Sequence, residues 1–135
     1  MAAHRILLIE DEPGAREALE SLLAEEGYTV ATADTGEKGL RRMREFRPDT
    51  VVCDFLLPDT DGLQILRRVR DLAGRSVTFI VITAGCGGVD AETLVQREAD
   101  YFFQKPLDLA RFRSALQHDG GGNGNGAARP PQLTL

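Results

Sequence analysis

Five short apolar runs alternate along the chain with longer segments whose apolar residues recur at helical spacing. The runs cover residues 5–9, 28–32, 50–53, 77–83 and 101–103. Each run is rich in leucine, β-branched or aromatic residues, which favour strands buried on both faces. Strands alternating with amphipathic helices predict a parallel sheet with helices on both faces and right-handed crossovers.

The helical segments carry their own end signals and apolar faces. Gly27 and Gly74 follow the first and third helical patterns and predict where those helices end. In the last helical segment, Leu109, Phe112 and Leu116 recur at helical spacing and predict a helix. We therefore expect five helices, one after each strand.

Size and composition limit the class of protein. A chain of 135 residues with 42% hydrophobic and 27% charged residues is long enough for one globular domain, which we place at residues 1–118. From residue 119 onward glycine, asparagine and proline dominate, which predicts a flexible tail or linker. The net charge of −5 argues against direct nucleic-acid binding by this segment.

Targeting signals and cysteines point to the cytoplasm. We find no apolar run of membrane-spanning length and no signal peptide at the start, so we expect neither a membrane segment nor secretion. Cys53 and Cys86 make neither a disulfide framework nor a metal-binding spacing. A reducing cytoplasm is the simplest setting for two free thiols.

Polar residues follow four of the five predicted strands. Glu10 and Asp11 come after the first strand, Asp54 after the third, Thr83 ends the fourth and Lys105 follows the fifth. Each has an ordinary explanation, such as an acid at a helix N-terminus or a surface lysine. The carboxyl ends of parallel strands meet at one edge, however, where open α/β sheets bind ligands. Their joint position therefore favours a site.

The residue types define what such a site would do. Carboxylates held together repel one another, and a divalent cation relieves that repulsion. Mg²⁺ prefers oxygen ligands and combines one or two carboxylates with phosphate oxygens, so Asp11 and Asp54 are candidate ligands. An aspartate carboxylate is also a nucleophile toward phosphorus. Lys105 would supply a second cation and Thr83 a hydroxyl donor, so the chemistry predicted is phosphoryl transfer.

Four motifs carry a family resemblance. They are ILLIEDEP, VVCDFLLPDTDG, IVITA and FFQKPL, and through them residues 5–117 resemble the receiver domain of two-component response regulators. The resemblance implies a flavodoxin-like, doubly wound five-stranded parallel sheet of strand order 2-1-3-4-5. It also implies that the bond between Lys105 and Pro106 is cis.

The same resemblance assigns roles within the predicted site. Asp54 would accept a phosphoryl group from a histidine of a sensor kinase or phosphotransfer protein. Mg²⁺ would be bound by Asp11, by Glu10 through water, by Asp54 and by the backbone carbonyl of Leu56. The phosphoryl group would contact Thr83 and Lys105.

The resemblance also places a conformational switch. Phe102, three residues before the lysine, stands where the family has its switch aromatic, and it would turn inward as Thr83 moves toward the phosphoryl group. The change would reach the surface of the fourth helix, fifth strand and fifth helix. That surface would serve a downstream effector protein, an output domain absent from this chain, or a homodimer.

Three features depart from the family pattern. Glu98 replaces the glycine usual after the fourth helix, which predicts a strained or rearranged helix end. Residues 85–88 are rich in glycine, which predicts a mobile loop after Thr83. Cys86 would be exposed on that loop. We favour a spectator thiol there over a redox role, because a reactive cysteine needs an activating neighbour.

Two other classes of function compete with the switch. One is a degenerate receiver that acts only as a docking module. The other is a hydrolase like the haloacid dehalogenase phosphatases, which need a second aspartate two residues after the nucleophile, where Leu56 stands. Dinucleotide binding is excluded, because no glycine-rich fingerprint follows the first strand.

Overall fold

The computed structural model describes residues 4–85 and 88–120, the side chains of 118–120 excepted. The strands are β1 (Arg5–Ile9), β2 (Thr29–Ala33), β3 (Thr50–Asp54), β4 (Thr78–Thr83) and β5 (Tyr101–Gln104). The helices are α1 (Pro13–Glu25), α2 (Gly36–Phe46), α3 (Gly62–Ala73), α4 (Val89–Glu98) and α5 (Leu109–Gly120), with a short 3₁₀ turn (Gly74–Ser76) after α3. Strands and helices alternate as the hydrophobic pattern predicts.

The five strands form one parallel sheet of order β2-β1-β3-β4-β5. This confirms the predicted flavodoxin-like topology. The chain crosses from one side of β1 to the other between β2 and β3, so the loops after β1 and β3 flank a crevice at the carboxyl edge of the sheet.

Alternating side chains build a core on each face of the sheet. Leu7 and Ile9 of β1 pack with residues of α2, α3 and α4, whereas Ile6 and Leu8 pack with residues of α1 and α5. Successive side chains of a strand point to opposite faces, so one apolar strand serves both cores. All four of these side chains are fully buried.

The strain that the sequence predicted at the end of α4 is absent. Glu98 ends α4 without strain, because Ala99 after it adopts an extended backbone (φ −77°, ψ 155°) that needs no glycine. Among the described residues, Arg47 is the only non-glycine residue with positive φ. Leu109, Phe112 and Leu116 all lie in α5, as expected, with Phe112 and Leu116 buried and Leu109 exposed at its start.

Other expectations concern the chain outside the described residues. Cys86 lies outside them, together with residue 87, so the predicted mobility of the 85–88 loop stays a prediction. The predicted tail from residue 119 also falls outside them, apart from the backbone of 119 and 120 at the end of α5. Within the described part, no helix has the length and apolar character needed to cross a bilayer.

Candidate functional site

The carboxyl edge of the sheet gathers charged side chains from three strands. Lys105, directly after β5, donates hydrogen bonds from Nζ to Glu10 Oε1 at 2.8 Å and to Asp54 Oδ2 at 2.9 Å. Carboxylate oxygens of Glu10, Asp11 and Asp54 lie within 4.8 Å of one another. Residues up to 95 positions apart in the sequence thus meet at one place, as the strand-end argument predicts.

Burial makes this cluster electrostatically unusual. The Glu10 side chain is fully buried, and that burial raises its pKa. The hydrogen bond from Lys105 opposes the rise, and the charge of Asp54 adds to it. Burial alone would lower the pKa of Lys105, but its hydrogen bonds to Glu10 and Asp54 raise it overall. The ammonium therefore stays charged while it faces more carboxylates than it can neutralise.

The donor set fits a magnesium ion. Three carboxylates converge on one point, and a single ammonium leaves the cluster with an excess of negative charge that a divalent cation would offset. Asp11 is exposed, whereas Glu10 and Asp54 are buried, so the cluster opens to solvent on the Asp11 side. Mg²⁺ keeps several waters and accepts phosphate oxygens, which such an opening permits.

The loop after β3 is short and internally braced. Leu57 N donates to Thr60 O at 3.2 Å, and Leu56 forms an isolated antiparallel bridge with Asp61. Leu56 N also donates to Asp54 Oδ1 at 3.3 Å. These bonds place Leu56, whose carbonyl is a predicted metal ligand, in a turn that begins at the predicted phosphoacceptor.

Glycine lets α3 start against the end of β3. Gly62 N donates to Phe55 O at 2.6 Å, and a Cβ at this position would lie 3.0 Å from Phe55 Cα and 3.2 Å from Asp54 O. A side chain there would force these backbone atoms to move by a few tenths of an ångström, which backbone does less easily than the end of a side chain. The Asp-Gly pair of the sequence motif is therefore explained locally, since Asp61 also caps α3 by accepting from Gln64 N at 2.9 Å.

The side chains of Thr83 and Phe102, which were predicted to form the switch, contact residues other than the acids and Lys105. The Thr83 hydroxyl donates to Gly85 O at 2.7 Å and accepts from Gly85 N at 3.0 Å. The ring of Phe102 is 1% exposed and belongs to the core cluster that includes Val95 and Ala99. The backbone N of Lys105 donates to Thr83 O at 2.9 Å, and the bond from Lys105 to Pro106 is cis, as expected.

Sequence reasoning missed two residues that support the acidic loop after β1. Glu12 caps α1 by accepting from Ala15 N at 2.8 Å and Gly14 N at 3.0 Å, and these bonds lower its pKa. Arg16 donates from Nη1 to the backbone carbonyls of Glu10 at 3.0 Å and Asp11 at 3.4 Å. The available signal was an acid directly before a proline at a helix start, which suits an N-cap.

The chain spans about half the length of the curated relatives it matches. The transcriptional regulatory protein AfsQ1 of Streptomyces coelicolor is 40% identical over 116 residues, which cover 83% of this chain and 51% of that protein. The transcriptional regulatory protein TrcR of Mycobacterium tuberculosis is 36% identical over 117 residues, which cover 84% of this chain and 45% of the relative.

Two solved structures of similar chains hold magnesium. Response regulator TrrA of Thermotoga maritima, in complex with Mg²⁺-BeF, is 29% identical with a TM-score of 0.76 and covers 85% of this chain and 97% of its own. The receiver domain of sensor histidine kinase PA1611 of Pseudomonas aeruginosa has a magnesium ion coordinated in its active site cleft. It is 31% identical with a TM-score of 0.78 and covers 89% of this chain and 99% of its own.

A family profile covers nearly the whole described chain. The profile described as response regulator receiver domain matches residues 6–117, which include the acidic cluster, Thr83, Phe102 and Lys105. The sheet order and the convergent charges agree with that match. The chain belongs to the response regulator receiver domain family, whose members are phosphorylatable signalling switches of two-component systems.

Proposed function

We propose that Asp54 accepts a phosphoryl group and that this chain is the receiver of a cytoplasmic two-component phosphorelay. The observation that carries the proposal is the convergence of Glu10, Asp11 and Asp54 around the Lys105 ammonium at the carboxyl edge of the sheet. The donor would be a phosphohistidine of a sensor kinase or phosphotransfer protein.

The chemistry is an in-line displacement at phosphorus. A carboxylate oxygen of Asp54 forms the new bond to phosphorus as the bond from phosphorus to the histidine nitrogen breaks, and the imidazole that leaves takes up a proton. Mg²⁺ held by Asp11, Asp54 and the Leu56 carbonyl, and by Glu10 through water, would neutralise charge on the phosphoryl oxygens. With the metal bound, the chain would promote its own phosphorylation and dephosphorylation.

Lys105 and Thr83 have different tasks after transfer. Lys105 already holds Asp54 Oδ2 at 2.9 Å and would remain as a fixed positive charge beside the new phosphoryl oxygens. The Thr83 hydroxyl bonds to Gly85 O, so it must break that contact to donate to the phosphoryl group. The movement of Thr83 would change the position of Phe102 and the conformation of the surface formed by α4, β5 and α5.

That surface would transmit the signal. The curated relatives are about twice as long as this chain and are named as transcriptional regulators, so the receiver output would act on an attached output domain or a separate effector protein. A homodimer through α4, β5 and α5 is the alternative form of the same output.

Phosphorylation by a small donor tests the proposal directly. Incubation with Mg²⁺ and acetyl phosphate should add one acid-labile phosphoryl group, detected by intact mass, and Asp54→Ala should abolish it. Asp71→Ala, an exposed aspartate on α3, is the matched control and should be phosphorylated like the wild type. A wild type that gains no adduct would refute the assignment.

The competing functions lack support. A docking-only receiver would not need the acids and Lys105 to converge, and the unstrained end of α4 removes one reason for expecting degeneracy. A phosphatase of the haloacid dehalogenase type would need an acid at position 56, where a leucine with a largely exposed side chain stands.

A further inference from the structure

The loop between β3 and α3 is tied to a helix that takes no part in the acidic cluster. Asp59, in that loop, accepts from Gly36 N at 2.8 Å through Oδ1 and from Glu37 N at 2.9 Å through Oδ2. These amides begin α2, more than twenty residues earlier in the chain. One carboxylate therefore caps α2 from outside the helix.

Two residues cap α2, one next to the helix and one distant in the sequence. The first turn of a helix leaves its amides without partners inside the helix. The Thr35 hydroxyl accepts a hydrogen bond from Lys38 N at 3.1 Å. The Asp59 carboxylate accepts from the N–H groups of the two preceding residues, 36 and 37. Partial burial opposes the effect, yet these backbone hydrogen bonds lower the pKa of Asp59. The carboxylate is thus charged at the positive end of the helix dipole.

The loop also fits closely against the start of α2. A Cβ at Gly36 would lie 2.4 Å from Thr60 Cγ2 and 2.9 Å from Ile65 Cδ1. Real Cβ atoms do not approach that closely, so a side chain at position 36 would require the ends of Thr60 and Ile65 to shift. The loop and α2 are therefore joined in two ways. Asp59 accepts hydrogen bonds from α2, and Thr60 packs against Gly36 of α2.

The other end of the turn reaches the metal site. Thr60 O accepts from Leu57 N, and Asp61 bridges to Leu56, so the tip that carries Asp59 is hydrogen-bonded to the part that carries the Leu56 carbonyl. Only two residues separate Leu56 from Asp59. Fixing the tip on α2 therefore fixes the carbonyl beside Asp54.

We propose that Asp59 is a positioning residue for the metal site, because it anchors the loop to α2 and so holds the Leu56 carbonyl in place for magnesium. The inference rests on the proposed function, in which that carbonyl is a ligand. Binding free energies are reciprocal, so magnesium binding in turn orders the contact between the loop and the start of α2.

Three substitutions separate this role from ordinary helix capping. Asp59→Ala removes the loop contact, whereas Thr35→Ala removes a cap of the same helix without touching the loop. Glu37→Gln removes a negative charge at the same helix end without removing a cap. Both Ala variants should lower the thermal stability by similar amounts. Asp59→Ala alone should weaken Mg²⁺ binding, by about tenfold, as loss of an outer-shell partner typically does.

The measurements are Mg²⁺ titration by calorimetry and amide hydrogen exchange. In Asp59→Ala, exchange at Gly36 and Glu37 should speed up and should no longer slow on addition of Mg²⁺. In Thr35→Ala, exchange at Lys38 should speed up while the Mg²⁺ affinity stays at the wild-type value. Asp59→Asn, which keeps one acceptor oxygen, should bind Mg²⁺ with intermediate affinity.

Three results would overturn the proposal and can be told apart. If wild type binds Mg²⁺ and accepts phosphate but Asp59→Ala binds Mg²⁺ as Thr35→Ala does, the positioning role is wrong and the proposed function stands. If Glu37→Gln weakens binding as much as Asp59→Ala, the effect is one of charge and the positioning role again fails. If the wild type does not bind Mg²⁺, the proposed function fails and the positioning role with it.

Discussion

Two charged clusters in this molecule have nearly the same bond lengths and very different surroundings. At the carboxyl edge of the sheet, Lys105 lies 2.8 Å from Glu10 and 2.9 Å from Asp54, and the side-chain exposures of Lys105 and Glu10 are 28% and 0%. Between α3 and α4, Arg67 lies 2.8 Å from Glu98, with exposures of 48% and 35%.

The difference lies in charge balance as well as burial. The Arg67 pair is one cation with one anion, held by two hydrogen bonds in water, where such pairs contribute little. Lys105 faces an excess of carboxylates in a buried site, where desolvation costs more than the pairing returns. A protein gains no stability from such crowding, so we attribute it to chemistry. We therefore propose the first cluster as the site, whereas the second is an exposed salt bridge.

The largest expected effect comes from removing the cation of the crowded cluster. Lys105→Met leaves the buried carboxylates of Glu10 and Asp54 without a counter-charge and should destabilise the fold by about 3 kcal/mol at neutral pH. Urea unfolding measures the loss. Lys38→Met, which breaks the exposed pair between Lys38 of α2 and Asp34 before that helix, is the control and should change stability little.

The same variant should acquire a distinct pH dependence. Burial already raises the pKa of Glu10 above its ordinary value of 4.5, and loss of Lys105 removes an interaction that lowers it. An acid with a raised pKa in the folded state costs stability as pH rises above its unfolded value. The penalty of Lys105→Met should therefore be larger at about pH 8 than at about pH 5. An equal penalty at both values would contradict the buried-charge explanation.

Metal binding should be the next largest effect, and it should be confined to the crowded cluster. Free Mg²⁺ at 100 times its Kd should raise the free energy of unfolding by about 2.7 kcal/mol, because the ion binds the folded state alone. Asp11→Ala should abolish this gain without lowering stability in EDTA, since it removes a repelling charge. Thermal unfolding with and without Mg²⁺ tests both, and a gain that survives Asp11→Ala would place the ion elsewhere.

A third ion pair lies between the two extremes of burial. Arg70 donates to Asp100 Oδ2 at 2.9 Å and to Val77 O at 2.8 Å, with side-chain exposures of 18% and 14% for the two charged residues. Arg70→Met should cost about 2 kcal/mol in urea unfolding, because it leaves a partly buried carboxylate and carbonyl with fewer donors. Arg68→Met, at an exposed position on the same helix, should cost far less.

The smallest effect should come from breaking the exposed salt bridge between Arg67 and Glu98. The hydrogen bond from Arg67 lowers the pKa of Glu98 below its ordinary 4.5, so the pair contributes stability above that pH and loses it as pH falls through the folded-state pKa. Glu98→Gln should cost about 0.5 kcal/mol at neutral pH. The difference from wild type should vanish in strong acid and shrink in high salt. A loss as large as that of Lys105→Met would show that exposure does not separate the two clusters.

The predicted parts of the site follow from strand direction. Glu10, Asp54 and Thr83 stand at the ends of apolar runs, and parallel strands bring such ends to one edge whatever the details of packing. That reasoning grouped Glu10 and Asp54 with Lys105, and the structure brings these three together. It gave no indication that the Thr83 hydroxyl would bond to Gly85 instead of facing Asp54.

The missed parts involve contacts between loops and helices. Arg16 bonding to the carbonyls of Glu10 and Asp11, and Asp59 capping α2, depend on where loops lie once the helices have packed. Glu98 looked like a strained substitution for glycine, but the extended backbone of Ala99 and the partner Arg67 make it an ordinary surface residue. Sequence spacing alone does not identify Arg67 as the partner of Glu98, or α2 as the helix that Asp59 caps.

The sequence alone determined the order of strands and helices, the edge of the sheet at which the acidic cluster forms and the chemical type of its residues. Hydrophobic patterns with periods of two and of about 3.6 residues specify strands and helices. The right-handedness of the crossovers between parallel strands then restricts how the helices can cover the sheet. The tertiary structure decided which oxygen each donor meets, how much charge is buried and which helix holds the loop after Asp54. Those depend on packing distances of a few tenths of an ångström between segments that the chain keeps far apart.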